Sequence, residues 1–240
     1  EKTIFEYEDI KGEALAVPVS NINPYLVDAP DLVLEKRNQP ICIVPTISYG
    51  SMANDDGHLL LDKEQRNALI AAEPATAPYI RRYMGAQEFL NNAERWCLWL
   101  KDISPSLMRS SNELRHRIEA VRKFRASSNR EATRNLAATP SLFGEDRQPL
   151  KSYLLLPKVS SENRPYMPIG FMPSEVIANG SALTISDSGH YEMGVLQSKM
   201  HMAWMRAVAG RMKSDYQYSA QIVYNNFPWP DLPEKLEPNQ

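Results

Sequence analysis

At 240 residues, with 27 Lys and Arg against 29 Asp and Glu, the chain carries a formal charge of −2 and a mean hydropathy of −0.43. That balance excludes a polyanion binder acting through overall charge, so any nucleic-acid contact must come from a local concentration of basic side chains. No apolar run approaches membrane-spanning length, no signal peptide opens the sequence, and the length suffices for a sizeable core.

Cys42 and Cys97 each sit among apolar neighbours, which fits reduced buried thiols in a cytoplasmic protein, with a single disulfide left open. The start at Glu1 and the polar stretch 232–240 read as the ends of a fragment of something longer. Alternation of Ala14, Ala16 and Pro18 with Leu15, Val17 and Val19 predicts a short strand that its proline keeps at a sheet edge. Asn23-Pro24-Tyr25 superficially resembles the Asn-Pro-Pro-aromatic signature of adenine-N6 methyltransferases. One proline is missing and no glycine-rich turn precedes it, so Asn23 reads as structural. Residues 32–34 and 41–44 predict two short strands separated by the turn at 37–40. In the loop 49–59, Asp55, Asp56 and His58 have metal-ligand chemistry, but a turn with an aspartate cap explains them, and no metal site is assigned.

From Leu61 to about Leu136 the pattern reads as helical. Asp62 caps the segment 63–72, Pro74 and Pro78 punctuate, and the stretch 77–85 stops at Gly85. Residues 95–100 form a short apolar strand or buried segment, with Trp96 and Trp99 read as core rather than as base-stacking platforms. The segment 109–134 is the most basic: Arg109, Arg115, Arg117, Arg122, Lys123, Arg125, Arg130 and Arg134 face three anions, Glu113, Glu119 and Glu131. Leu114, Ile118, Val121 and then Phe124 or Arg125 recur at helical spacing, which predicts one long helix with its cations outward, suited to phosphate contact or to a solvated face. Arg130 and Arg134 lie one turn apart, a spacing that can clamp a phosphate.

Residues 152–157, 166–172 and 181–186 return to strands, and the polar loop 160–165 carries Arg164. Met193, Leu196, Met200, Ala203, Trp204, Ala207 and Val208 then predict one long amphipathic helix. Ser186, Asp187 and Ser188 offer N-cap oxygens, Gly210 a left-handed stop, and Arg206 and Arg211 suit the negative end. Beyond Gly210 the period becomes two, with Tyr216, Tyr218, Ala220 and Ile222 on one face and Lys213, Asp215, Gln217, Ser219 and Gln221 on the other. That polar row has the chemistry to read bases in a major groove, although the spacing alone favours a solvated edge strand. Phe227 and Trp229, in a proline-locked segment, are expected to pack beneath this strand.

The block SKMHMAWMRAVAGRMKSDYQYS at 198–219, followed by VYNNFPWP at 223–230, resembles the C-terminal part of the target recognition domain in MmeI-like single-chain type II restriction–modification methyltransferases. NINPYLVDAPD at 21–31, GAQEFLNNAERWCLWLKDISP at 85–105 and SSENRPYMPIGF at 160–171 match in the family's order, so the resemblance covers nearly the whole chain. It implies an α+β fold of mixed or antiparallel small sheets, with a helical insertion and one long amphipathic helix before a C-terminal strand. It also implies a division into N-terminal strands and loops (1–60), a helical basic segment (61–138) and a base-reading part (139–240). The implied function is sequence-specific recognition of double-stranded DNA, positioning an adenine for an S-adenosylmethionine-dependent N6-methyltransferase domain of the parent chain. The fragment itself would be non-catalytic and free of cofactor. Base-reading positions carry over to Lys213, Asp215 and Gln217, with Arg164 from a matching Ser-Glu-x-Arg stretch; many members have arginine in place of Gln217. Arg115, Arg122, Lys123, Arg125, Arg130, Arg134 and Arg211 form the expected phosphate set.

Two other classes find less support in the residues. A self-contained hydrolase would use His58, His190 or His201 with a carboxylate, but the sequence has no nucleophile elbow, HExxH or phosphate loop. A protein–protein module would present the proline-rich stretch 227–233 to a partner groove.

Overall fold

The computed structural model describes residues 2–9 and 11–230, and the polar stretch 232–240 therefore lies outside the described residues. Strands β1 (Lys2–Tyr7) and β2 (Ala14–Val19) form an antiparallel hairpin in which Pro18, opposite Thr3, sits in a two-stranded ribbon whose edges are open. The carboxamide oxygen of buried Asn23 then accepts from the backbone amides of Tyr25 (2.9 Å) and Val27 (3.2 Å), the structural role expected of it.

The two strands expected at 32–34 and 41–44 do not form. Their backbone is engaged by the far end of the chain instead. Arg37 and Ile41 donate backbone N–H groups to the carbonyls of Gln221 (3.1 Å) and Asn225 (2.9 Å). The side chains of Asn225 and Asn226 donate back to the carbonyls of Arg37 (2.7 Å) and Glu35 (3.0 Å). Apolar composition suggested strands there, but among the described residues no strand pairs with either segment.

Next come β3 (Ile47–Tyr49), β4 (Leu60–Leu61) and helix α1 (Lys63–Ala72). Asp62 caps α1 as expected: its carboxylate accepts from Gln65 N at 2.7 Å and the Gln65 side chain accepts from Asp62 N at 3.1 Å. The helical reading of 77–85 is corrected. After a 3₁₀ turn at Pro74–Tyr79 the chain forms β5 (Ile80–Met84), which pairs with β6 (Trp96–Leu98) across the short helix α2 (Ala86–Asn91).

The basic segment is three helices rather than one: α3 (Pro105–Ser110), α4 (Asn112–Ala126) and α5 (Glu131–Asn135). Ser111 turns extended between the first two and caps α4, accepting from Leu114 N at 3.0 Å. Glu73 adds a carboxylate to the same end, accepting from the amides of Asn112 and Glu113.

Strands β7 (Tyr153–Pro157), β8 (Val159–Ser160), β9 (Gly170–Met172), β10 (Ile177–Ala178) and β11 (Ala182–Ser186) follow. The expected long helix is two, α6 (His190–Leu196) and α7 (Lys199–Val208), broken where Ser198 turns extended and accepts from His201 N at 3.1 Å. The start also differs from expectation. Gly189 occupies the cap position, its N–H donating to Glu192 at 2.6 Å, while Ser188 donates to the Ile185 carbonyl. Gly210 is not a left-handed stop: Ala209 is already extended, and Gly210 opens β12 (Gly210–Met212), which turns back into β13 (Asp215–Gln217).

The strands assemble into four small sheets: β1-β2, β10-β5-β6-β4, β3-β11-β7-β9 and β12-β13-β8. All pairings are antiparallel except β10 with β5, which gives the α+β class that the sequence implies. One core lies around β4, β5 and β6 against α3 and α4; a second lies around β7, β11, α6, α7 and the closing aromatic segment. Among the described residues no helix is long and apolar enough to cross a membrane.

Candidate nucleic-acid interface

The site begins with a change of period at Gly210. Strands β12 and β13 pair Gly210 with Gln217, Arg211 with Tyr216 and Met212 with Asp215, and Lys213-Ser214 form the turn. Lys213 holds φ at 57°, a left-handed conformation that side-chain-bearing residues resist. The polar row expected to run from 213 to 221 on one strand is therefore shorter. The strand stops at Gln217, and Ser219 caps a π-helical turn at Ala220–Tyr224 by accepting from Ile222 N. Within those limits the alternation holds, with Tyr216 and Tyr218 buried, Gln217 exposed and Asp215 half-buried.

Strand β8 pairs with the other side of β13, Val159 opposite Gln217 and Ser160 opposite Tyr216. It leads directly into the loop that carries Arg164. The structure thus brings Lys213, Asp215, Gln217 and the Arg164 loop to one three-stranded sheet. Arg164 is half-buried, and its Nε finds no hydrogen-bond partner among the described residues.

Beneath this sheet lies an aromatic platform. Phe227 and Trp229 are buried in one cluster with Tyr216 and Tyr218, as expected for groups that fix the strand's pose. His201, from α7, packs edge-on against Phe227 with ring centroids 4.5 Å apart, and its Nε2 lies 3.0 Å from the Tyr218 hydroxyl. Burial holds the imidazole down to about pH 4 and pushes the Tyr218 phenol well above its usual range. Trp204 donates to the Val223 carbonyl at 2.9 Å, tying α7 to the π-helical turn. A neutral, fully enclosed His201 with a phenol for a neighbour does not form the histidine–carboxylate pair of a hydrolase. Burial of Phe227 and Trp229 likewise withdraws them from a partner groove; residues 231–233 of that stretch lie outside the described residues.

Of the expected phosphate set, Arg115, Arg122, Lys123, Arg130 and Arg134 are exposed on α4, α5 and the turn between them. Arg134 N bonds the Arg130 carbonyl, so these two do lie one turn apart. Arg125 is a correction. Its side chain is fully buried and makes five hydrogen bonds, 2.7–3.0 Å long, to the backbone carbonyls of Ala53, Asn54, Leu136, Thr139 and Leu142. It continues the stripe of Leu114, Ile118 and Val121, and no phosphate can reach it. Arg211 is also engaged, its guanidinium carbon 3.9 Å from the centre of the Tyr216 ring.

In the 49–59 loop, Asp55 is buried and its carboxylate accepts from Leu59 N at 2.6 Å, the aspartate-capped turn read from the sequence. Lys158, which precedes β8, also adjoins this sheet, and its ammonium donates to the Gly180 carbonyl at 3.3 Å. Its backbone carbonyl accepts from Tyr218 N at 2.7 Å, and its ammonium lies 4.8 Å from the ring centre of exposed Tyr49.

Comparison with known proteins places this geometry in context. A family model described as "MmeI, target recognition domain" matches residues 28–231. DNA methyltransferase A of Bacillus subtilis (strain 168) is 38% identical over 214 residues, which is 89% of this chain and 24% of that protein. A solved structure of the type IIL restriction-modification enzyme MmeI in complex with DNA superposes with a TM-score of 0.89 at 45% identity, covering 98% of this chain and 31% of that one. The chain thus spans about a quarter of the curated relative's length and under a third of the structural one.

Proposed function

Because the chain belongs to the MmeI target recognition domain family, we propose that it reads double-stranded DNA by sequence within a restriction–modification methyltransferase. In this reading it holds a target adenine in place for N6 methylation by a separate catalytic domain of the parent polypeptide, which binds S-adenosylmethionine. The observation that carries the reading is the gathering of Lys213, Asp215 and Gln217 at the tip and outer face of one hairpin. A two-stranded ribbon fits a major groove about 12 Å wide. There lysine donates to guanine O6 and N7, aspartate accepts from cytosine N4, and glutamine pairs with adenine N6 and N7. The buried aromatics under β13 supply rigidity, because a reading group must be held within a fraction of an ångström. With a net charge of −2, the phosphate grip falls to the exposed cations of α4 and α5.

The test is selection of bound sequences from a pool of randomised duplexes at two salt concentrations. The unaltered chain should enrich a motif. Lys213→Ala with Asp215→Ala should erase information at specific base pairs while leaving most affinity for mixed sequence. Arg122→Ala with Arg134→Ala should weaken binding to all sequences and reduce the salt slope by about two. Absence of any enriched motif from the unaltered chain would sink the proposal.

A further inference from the structure

Arg211 stands in the expected phosphate set, yet its surroundings assign it another task. It lies directly opposite Tyr216 in the hairpin register, and its guanidinium carbon is 3.9 Å from the centre of that ring. Tyr216 is 5% exposed and faces the core, so Arg211 covers the inner side of the hairpin, whereas Asp215 and Gln217 alternate to the other side. Its Nη1 donates to the carbonyl of Ser214 at 2.8 Å, inside the turn that holds Lys213 in its left-handed conformation. The same nitrogen lies 3.9 Å from a carboxylate oxygen of Glu162, in the loop that also carries Arg164. One terminal nitrogen and the flat face of the guanidinium are both in use, and all three partners belong to the hairpin sheet or its adjoining loop.

We propose that Arg211 is a positioning residue: it fixes the pose of the Lys213–Asp215 tip and couples that tip, through Glu162, to the 161–164 loop. Sequence discrimination would then depend on a side chain that touches neither base nor phosphate. This rests on the reading role proposed above.

A lysine at 211 separates the two tasks. It keeps the charge a phosphate would need, but it has no planar face to lie on Tyr216 while its nitrogen reaches the Ser214 carbonyl. Arg211→Lys, Arg211→Ala and Glu162→Gln should each be compared with the unaltered chain, using the enriched duplex, a scrambled duplex and a salt titration. The expected result is that Arg211→Lys is as deficient as Arg211→Ala. Both should lower the preference for the enriched over the scrambled duplex about tenfold or more, at the base pairs that Lys213→Ala also blurs, with the salt slope unchanged. Glu162→Gln should move in the same direction by a smaller factor. Unaltered thermal midpoints for Arg211→Lys and Glu162→Gln confirm that the loss is not unfolding. A salt slope lowered by about one in Arg211→Ala, equal weakening on both duplexes and restoration by lysine would identify a phosphate contact and overturn the proposal. Unchanged preference in all variants would overturn it too. Failure of the reading role itself would look different, because the unaltered chain would then enrich no motif.

Discussion

His201 enters the core neutral, and that choice makes stability depend on pH. Its folded pKa of about 4 lies below the ordinary value of 6.5, so between those values the unfolded chain binds the proton more readily. The contribution is therefore fully present above about pH 6.5 and is lost as pH falls towards 4. Urea unfolding should show this group costing about 2 kcal/mol of stability between pH 7.5 and pH 5, and His201→Gln should flatten that dependence. Arg125 makes the opposite kind of residue-scale statement. Arg125→Met would strand five backbone carbonyls in two loops and should cost about 3 kcal/mol or more, whereas exposed Arg122→Ala should stay within about 0.5 kcal/mol. The spacing from Val121 to Arg125 already continued the buried stripe. What the sequence lacked was the ring of carbonyls that lets a guanidinium take a core position.

At the scale of elements, the hairpin carries a conflict between stability and use. Lys213 at φ 57° strains the turn, so Lys213→Gly should stabilise the chain by up to about 1 kcal/mol and, under the function proposed above, should remove discrimination at one base pair. Thermal melting and the duplex selection together check both halves of that expectation. Elements specified by neighbouring residues were legible: the Asp62 cap and the apolar run of β7 each contain their own signal. Elements specified by distant partners were not. Strand β5 owes its extended form to β6 and to β10, a partner nearly a hundred residues away, and the strands expected at 32–34 and 41–44 gave way to contacts with the opposite end of the chain. The break between α6 and α7 was hidden because the apolar stripe runs on through Ser198. For the candidate site, the alternation across residues 215–218 was readable from the period, but the pairing of 215–217 with 210–212 was not. The inward engagement of Arg211 was not, since it depends on which residue stands across the strand.

For the whole molecule, the charge distribution outweighs its sum. Arg115, Arg122, Lys123, Arg130 and Arg134 offer five exposed cations in a chain of net charge −2. If all five meet phosphates, log K should fall with log salt at a slope of about −4 to −5, which a titration on one duplex reads directly. The bonds between the 35–41 segment and the 221–226 turn have a consequence in time rather than in energy. Arg37 and Asn226, whose side chains bond at 2.9 Å, stand 189 positions apart, and closing so large a loop precedes any reward from the contacts it brings. Pulse-labelled hydrogen exchange during refolding should find the Arg37 and Ile41 amides protected after those of β7 and β11. The segment that follows the β12-β13 hairpin thus sets last, and a nascent chain would complete the three sheets built from residues before 190 well before that hairpin takes its final pose.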